Sequence, residues 1–203
     1  MEGLFPTSID TERLRLEVVD ADATDVFEHF DAFADDPDPE TVYEHVPLDP
    51  PTTPADSREF LERAASNRRE ASSVTYLIRP RSGEPGAGEI AGSTTLFVSW
   101  DRLTAEPGIL LRKPFWGRGY AGERATALIS LAFDRLDLTC FAVSCVASNE
   151  HSRRAIERYV DAHGGRYEGL LRNAHAIGDG PVDLHRYTIS RAEYRSTVGD
   201  PEG

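Results

Sequence analysis

A strand pattern, a glycine-rich loop and a helix pattern follow one another near the middle of the chain, and this order restricts the fold more than any other feature. Residues 109–111 are apolar and predict a strand, and glycines follow at positions 117, 119 and 122. Apolar side chains then recur at the spacing of one buried helix face: Ala125, Leu128, Ile129, Ala132, Phe133 and Leu136. Such a loop directs backbone N–H groups and the positive end of a helix at one point, which favours bound phosphate oxygens. We therefore expect a phosphorylated cofactor at this loop.

Two better-known phosphate loops do not fit this stretch. The Gly-Lys-Ser/Thr ending of a P-loop is absent. Residues 117–122 match the letters of the dinucleotide motif Gly-x-Gly-x-x-Gly, but that motif lies near the start of a βαβ unit. Here the loop lies past the middle of the chain, and the acid at a suitable distance, Asp137, ends the predicted helix. A tight turn without a ligand is the remaining alternative, and the flanking cations Arg112, Lys113 and Arg118 argue against it.

The loop resembles the acetyl-CoA loop of the GCN5-related N-acetyltransferases (GNAT), written Gln/Arg-x-x-Gly-x-Gly/Ala. Trp116 stands at the Gln/Arg position, Gly119 at the glycine and Ala121 at the Gly/Ala position. The sequence Trp-Gly-Arg-Gly-Tyr-Ala is similar to the RimJ/RimL branch, which acetylates protein N-termini and other amines. Other stretches resemble that branch in the expected order between about residues 9 and 189: residues 11–16, 90–93, Asn149 to Ser152 with the helix after them, and 170–173 with Asp183.

The resemblance implies an α/β chain of the α+β type, with a mixed, mostly antiparallel sheet of about seven strands flanked by helices. In the family this sheet is splayed between its fourth and fifth strands, and acetyl-CoA lies in the gap. The backbone of Ile109 and Leu111 would then pair with the pantetheine amides as a further strand would. The pyrophosphate would lie on the loop residues: Trp116, Gly117, Arg118, Gly119, Tyr120, Ala121 and Gly122.

The same resemblance implies that the amine attacks the thioester directly, without an acyl-enzyme. The sequence has no Ser/His/Asp set with recognisable spacing, which would have indicated a route through an acyl-enzyme. Glu106 matches the glutamate of the family's Glu-Ile-Gly-Tyr stretch and is the candidate base, through a water, or the group that binds the ammonium. Pro107 and Ile109 depart from that stretch. The alternative for Glu106 is a solvated glutamate in a turn just before the strand.

Two residues at the predicted exit of the fifth strand match positions near the cofactor thiol. Asn149 matches the cofactor-binding asparagine, and the alternative is an ordinary helix cap. Ser152 matches the serine proposed to protonate the thiolate, and the alternative is a first-turn helix residue. Ile156 occupies the place of the tyrosine acid of many relatives, and Tyr159 is expected in the core. Four arginines are candidates for binding the 3′-phosphate of the cofactor: Arg118, Arg124, Arg153 and Arg154. Two histidines, His151 and His185, are alternative candidates for the proton acceptor.

Residues 16–57 contain thirteen acids and neither lysine nor arginine. In the family this segment forms part of the acceptor groove, so a negative rim would attract an ammonium. Tyr43 and Glu44 are therefore candidate acceptor-binding residues, and with Asp49 they would suit a multiply charged amine such as a polyamine or an antibiotic. The alternative is a surface adapted to salt. A net charge of −13 with Lys113 as the only lysine is typical of salt-accumulating halophiles and indicates a haloarchaeal source.

Composition also excludes several classes. The sequence has no basic patch, so we expect no binding to nucleic acid. It shows neither a membrane span nor a signal peptide, so we expect a cytoplasmic protein. Cys140 and Cys145 lie an odd number of residues apart in one predicted strand, which places them on opposite faces and excludes a bridge. No Cys/His spacing indicates a metal site. The sequence does not determine the oligomeric state, for which a homodimer is one candidate.

Local patterns complete the prediction of one domain over residues 1–203, with its core at about 9–190. Asp22 is expected to cap a first helix, which buries Val26, Phe27, Phe30 and Phe33. Thr53 is expected to cap a second helix. Residues 35–54 are expected to be a loop, Gly178-Asp179-Gly180 a turn, and 191–203 a frayed tail. Strands are predicted at 13–19, 74–78, 90–98, 108–111, 139–146, 166–173 and 182–190.

The leading hypothesis from the sequence is an acetyl-CoA-dependent N-acetyltransferase whose acceptor is a protein N-terminus or a small amine. The alternative is a module that binds acyl-CoA without catalysis and acts as a sensor or partner subunit. The missing tyrosine acid and Pro107 keep this alternative open.

Overall fold

The computed structural model describes residues 3–178 and 180–198. The strands in this part are β1 Ser8–Asp10, β2 Leu14–Val18, β3 Ser73–Pro80, β4 Gly92–Ser99, β5 Thr104–Leu111, β6 Cys140–Val146, β7 Arg166–Ile177 and β8 Gly180–Ser190. The helices are α1 Val26–Ala34, α2 Pro39–Tyr43, α3 Pro54–Arg69, α4 Tyr120–Ser130, α5 Glu150–Ala162 and α6 Arg191–Val198. The strand order is β1-β2-β3-β4-β5-β6-β8-β7.

The chain divides into two compact units. The first runs up to Val98 and includes Gly108–Arg124, and the second comprises Ser99–Pro107 and the residues from Ala125 onward. Strand β5 and helix α4 each contribute residues to both units. The expectation of a single domain over residues 1–203 stays a prediction.

The first unit is built on an antiparallel sheet. In β2 the alternate residues Leu14, Leu16 and Val18 are buried, as expected for a strand with one face on a core. Helix α3 begins at a capping box, in which the Thr53 and Asp56 side chains each accept a hydrogen bond from the other residue's backbone N–H. The core lies between the sheet and the helices and contains Val19, Ala32, Phe33, Val42, Leu61, Ala64, Leu77, Ile90 and Leu110.

The second unit contains the one parallel strand pair recorded within the described residues. Thr104 and Ala105 at the start of β5 pair with Cys140 and Phe141 of β6. Strand β6 pairs antiparallel with β8, and β8 with β7. The prediction of a mixed, mostly antiparallel sheet flanked by helices is therefore confirmed. The sheet has eight strands rather than about seven, because Ser8–Asp10 adds the edge strand β1 beside β2.

Several boundaries differ from the sequence prediction. Helix α1 is capped by Asp25 instead of Asp22, and its Phe27 is 66% exposed while His29 is buried. Helix α2 lies inside the predicted loop 35–54, because Asp38 caps it and Pro39 starts it. Glu106 lies within β5 rather than before it.

The C-terminal part of the chain also differs. Helix α6 occupies 191–198 of the predicted frayed tail, because the Glu193 carboxylate accepts the Ser190 N–H at 2.8 Å and the Tyr194 ring packs on Phe133. Asp179 of the predicted turn and residues 199–203 lie outside the described residues. Both cysteines are free thiols, as expected from their spacing.

We predict that Gly92→Ala destabilises the first unit. A Cβ at Gly92 would lie 2.2 Å from the Leu110 carbonyl oxygen, so β4 and β5 would have to separate locally. Overpacking of this kind costs about 1–3 kcal/mol, which chemical denaturation would measure. Gly108→Ala is the matched control in β5, because its Cβ would meet only a Phe97 ring carbon at an ordinary 3.7 Å. Equal stability of the Gly92→Ala and Gly108→Ala variants would contradict the prediction.

Candidate active site

The glycine-rich loop lies in the first unit and has an unusual backbone. After β5 the chain makes a 3₁₀ turn at Lys113–Phe115 and enters α4 at Tyr120. Gly117 and Gly119 have φ angles of +76° and +80°, which residues with a side chain rarely adopt. A Cβ at Gly117 would have no neighbour within 4 Å, so this side of the loop is open.

Five successive N–H groups of this loop have no protein acceptor within the described part of the chain. They belong to residues 117–121, and the first bonds of the helix are those of Gly122 and Glu123 to the Gly119 carbonyl, at 3.1 and 3.2 Å. A helix N-terminus with open N–H groups carries a partial positive charge. The loop is therefore suited to hold the oxygens of a pyrophosphate.

Arg13 holds this loop in place. Its Nη1 donates to the Arg118 carbonyl at 2.8 Å, and its Nε donates to the Glu123 carboxylate at 2.8 Å. The same carboxylate accepts the Thr11 hydroxyl at 2.6 Å and the Arg13 backbone N–H at 2.7 Å. Burial raises the pKa of Glu123, but these hydrogen bonds outweigh it and the net pKa is lowered. Sequence reasoning assigned Thr11 and Arg13 only to an opening strand.

The side chains of the loop support its shape. Trp116 Nε1 donates to the Leu111 carbonyl at 2.7 Å, and the Tyr120 hydroxyl donates to Glu84 at 2.7 Å. Lys113 pairs with Asp38 at 2.9 Å, and its Nζ lies 4.4 Å from the centre of the Trp116 ring. These contacts leave the backbone of the loop, more than its side chains, to contact a ligand.

The four candidate arginines for the 3′-phosphate differ in their surroundings. Arg124 is only 3% exposed, and Arg118 donates to the Pro85 carbonyl at 2.8 Å. Arg153 pairs with Glu157 at 3.0 Å. Arg154 is exposed, and no ion pair of its guanidinium is recorded within the described residues. Arg154 is therefore the candidate with the least competition from protein groups.

A cavity of about 420 Å³ also lies in the first unit. Tyr43 and Asp49 line it, whereas Glu44 lies outside the lining and faces His45 at 3.6 Å. Burial, followed by the charge of Asp36, raises the pKa of Tyr43 to about 12. The buried His29 lines the cavity as well, and sequence reasoning missed it because the apolar pattern of α1 assigned the inner face to phenylalanines.

In the second unit Glu106 is one half of an ion pair. Arg186 of β8 donates Nη1 and Nη2 to the two Glu106 oxygens at 3.0 and 3.1 Å, and Nη1 also reaches the Ser144 hydroxyl at 3.1 Å. Arg102 lies further away, at 3.7 Å. The Arg186 hydrogen bonds lower the pKa of Glu106 although burial opposes them. Glu106 is therefore ionised at neutral pH and is a weak proton acceptor.

Asn149 and Ser152 meet at the start of α5. The Asn149 Oδ1 accepts the Ser152 N–H at 2.9 Å, so the helix-cap alternative describes this oxygen correctly. Within the described residues, no partner is recorded for the Asn149 Nδ2 group or the Ser152 hydroxyl. Ile156 and Tyr159 are buried, which confirms the core position expected for Tyr159.

The two alternative histidines lie elsewhere in this unit. His185 Nδ1 lies 2.9 Å from the Tyr167 hydroxyl, and His151 is exposed in the first turn of α5.

A family model described as an acetyltransferase (GNAT) domain matches residues 13–159. The chain belongs to the GNAT acetyltransferase family. It is 23% identical over 195 residues to a protein of Bacillus licheniformis described as an uncharacterized N-acetyltransferase p20, and the match covers 96% of this chain and 99% of that relative. As a member of the GNAT family the chain is an acyltransferase, and GNAT acetyltransferases use acetyl-CoA.

Solved GNAT structures share the fold. A GCN5-related N-acetyltransferase from Brucella melitensis has a TM-score of 0.77 at 22% identity, over 96% of this chain and 86% of that chain. The microcin C7 self-immunity acetyltransferase MccE, solved with acetyl-CoA and AMP, has a TM-score of 0.77 at 19% identity, over 93% and 98%. RimL, a ribosomal L7/L12 α-N-protein acetyltransferase, has a TM-score of 0.73 at 18% identity, over 90% and 93%.

Within residues 3–178 and 180–198, no helix combines the length and the apolar character that crossing a membrane requires. No group of three or more His, Cys, Asp or Glu side chains there is arranged to hold a metal ion.

We predict that Arg186→Gln raises the pKa of Glu106, because the charged hydrogen bonds that favour the ionised form are lost. A ¹³C NMR titration of the Glu106 carboxyl carbon would measure the change. Arg102→Gln is the matched control and should change this pKa less, since Arg102 acts only through its charge at 3.7 Å. A larger shift in the Arg102→Gln variant than in Arg186→Gln would contradict the assignment.

Proposed function

We propose that this chain transfers an acetyl group from acetyl-CoA to a primary amine, either a protein N-terminus or a small amine, by direct attack. The observation that carries the proposal is the row of five open N–H groups at residues 117–121, at the N-terminus of a helix in a chain of the GNAT family. We further propose that the chain belongs to the RimJ/RimL-like group, which the loop sequence and the fold shared with RimL support.

The proposed cofactor contacts follow from the open backbone groups. The N–H groups of Gly117 to Ala121 bind the pyrophosphate, and Trp116 and Gly122 complete the loop. Ile109 and Leu111 bind the pantetheine through their backbone, and they lie four to six residues beyond the last β5 residue paired with β6. Asn149 and Ser152 bind the thiol end, with Nδ2 and Oγ as the groups that the cap leaves available.

The proposed chemistry needs an amine without its proton and a departing sulfur that receives one. When bound, acetyl-CoA supplies the acetyl group as a thioester. The amine nitrogen forms a bond to the carbonyl carbon as the carbon–sulfur bond breaks. Glu106 is ionised and receives the amine proton through a water, or holds the ammonium before that proton leaves. Ser152 donates a hydrogen bond to the departing sulfur, and the sulfur takes up the proton that the nitrogen loses as the amide forms.

The proposed acceptor site is in the first unit. The cavity there is lined by Tyr43 and Asp49, and the exposed Glu44 adds to the negative charge of residues 16–57. This charge would raise the local concentration of an ammonium-bearing acceptor. We also propose that the protein is cytoplasmic and adapted to high salt, from a haloarchaeal source, because the acid-rich composition and the single lysine support a saline interior. A homodimer stays one candidate assembly.

A module that binds acyl-CoA without catalysis is the second candidate function. Ile156, buried at the place of the family's tyrosine acid, and the ion pair that lowers the pKa of Glu106 favour it. Both features weaken proton transfer without affecting the loop that binds the pyrophosphate.

Release of free thiol from acetyl-CoA tests the proposal. The assay is run in molar KCl with a panel of small amines and of peptides that begin with Ala, Ser or Met. We expect release that depends on the acceptor, and Glu106→Gln should lower kcat about tenfold or more with acetyl-CoA affinity nearly unchanged. Binding of acetyl-CoA without thiol release for any acceptor would make the non-catalytic module the correct account.

We predict that Arg13→Met raises the KM for acetyl-CoA about tenfold, because the loop loses the charged hydrogen bonds that hold its shape. The kinetics with S-acetyl-pantetheine, which lacks the pyrophosphate, should stay unchanged. Arg15→Met is the matched control two residues further along, in β2, since Arg15 is half-exposed and its one ion pair recorded within the described residues is with Asp10 at 3.9 Å. An equal loss with both acetyl donors would indicate general damage to the fold and would remove the positioning role of Arg13.

A further inference from the structure

The cavity of the first unit has mostly apolar walls. Phe33, Phe60 and Leu110 contribute to them, together with three prolines of the segment before α3, Pro47, Pro50 and Pro51. Leu110 lies between Ile109 and Leu111, the two residues proposed to bind the pantetheine. A volume of about 420 Å³ suits a small molecule or one or two side chains of a peptide.

A buried polar pair interrupts these apolar walls. His29 of α1 and Ser57 of α3 are 5% and 1% exposed, and His29 Nδ1 lies 2.9 Å from the Ser57 hydroxyl. The imidazole packs between two rings, with centroids 4.7 Å from Phe33 and 5.1 Å from Phe60. These contacts hold the ring in one orientation. Nε2 is then the ring nitrogen that a bound molecule can contact, since no partner for it is recorded within the described residues.

The polar groups that His29, Tyr43 and Ser93 contribute to the cavity are uncharged. Burial lowers the pKa of His29 to about 4, so the imidazole is neutral at physiological pH. The Tyr43 hydroxyl is neutral because its pKa is raised, and Ser93 contributes a further hydroxyl. Because the part of the cavity around His29 combines apolar walls with neutral hydrogen-bonding groups, a group bound there should itself be uncharged and polar.

The carboxylates of the cavity lining are mostly engaged elsewhere. Asp56 accepts hydrogen bonds from Thr52 and Thr53 at the start of α3. Glu59 lies 3.6 Å from Arg63, one turn along the same helix. Asp49 is exposed and lies at the rim. A second ammonium beside His29 would therefore have to compete with these partners for a carboxylate, which makes its burial unfavourable.

We infer that His29 determines acceptor specificity, selecting primary amines whose body carries an uncharged hydrogen-bonding group and disfavouring amines with a second positive charge. This inference rests on the proposed acetyl transfer only in treating the cavity as the acceptor site. An amine with a purely apolar body leaves the His29 nitrogen without a hydrogen bond when it fills the cavity. A site whose buried nitrogen loses its hydrogen bond in this way discriminates strongly against an amine that lacks the polar group.

Binding of three matched amines tests the inference directly. Tyramine and phenethylamine differ by one hydroxyl, and cadaverine carries a second ammonium. Calorimetry with the unmodified protein should show tyramine binding about tenfold or more tightly than either of the others. His29→Phe keeps a ring between Phe33 and Phe60, so it should bind tyramine and phenethylamine equally. His29→Gln restores a neutral hydrogen-bonding side chain and should restore part of the preference.

His163→Phe is the matched control for replacing a buried histidine. His163 is 7% exposed, and its Nδ1 lies 2.6 Å from the Tyr159 carbonyl in the second unit, outside the cavity lining. This variant should keep the preference for tyramine. Equal binding of the three amines to the unmodified protein, no binding of any of them, or an unchanged preference in His29→Phe would overturn the inference.

The thiol-release assay separates this outcome from failure of the proposed function. Release that depends on an acceptor, together with an unchanged preference in His29→Phe, removes only the role of His29. A preference that His29→Phe abolishes, without thiol release for any amine or peptide, supports the binding role and removes the catalytic proposal.

Discussion

The contact of Arg13 with Glu123 and with the Arg118 carbonyl is the interaction on which the proposed cofactor site depends. It joins the chain just before β2 to the loop and the first turn of α4, more than a hundred residues later. The loop contains two glycines in the left-handed region, so its own backbone is flexible and gains its shape from outside. Charged hydrogen bonds are suited to this because they are stronger and more directional than contacts between apolar groups. The open N–H groups are then preorganised rather than ordered by the ligand.

The acid-rich segment 16–57 and the uncharged His29–Ser57 pair of the cavity have separate roles in the proposed acceptor recognition. Residues 16–57 contain thirteen acids and neither lysine nor arginine. The electric field of these acids extends into the solvent for about one Debye length. In molar salt that distance shortens to about 3 Å, so steering weakens and short-range contacts decide selectivity. The His29–Ser57 pair supplies such a contact because it is buried and uncharged. The proposed adaptation to high salt and a selective acceptor site are therefore compatible.

The proposed proton transfer depends more on the partners of each residue than on its identity. Glu106 matches a family glutamate, yet the bidentate contact with Arg186 keeps it ionised and reduces its basicity. Asn149 uses one end of its amide to cap α5, which leaves the other end for a ligand. The two alternatives left open for Asn149 are therefore not exclusive.

The sequence by itself determined the order of the larger strands and helices, the glycine-rich loop, the helix start at Thr53 and the family, because each depends on residues close together in the chain. It did not indicate β1, α2 or α6. Boundaries failed where a local signal was overridden, as in α1, whose apolar period predicted Phe27 inside while the tertiary structure buries His29. Only the tertiary structure brought Arg13 to Glu123, Arg186 to Glu106 and Ser57 to His29. These pairs are 110, 80 and 28 residues apart, and no periodicity records which distant side chains meet once the chain folds.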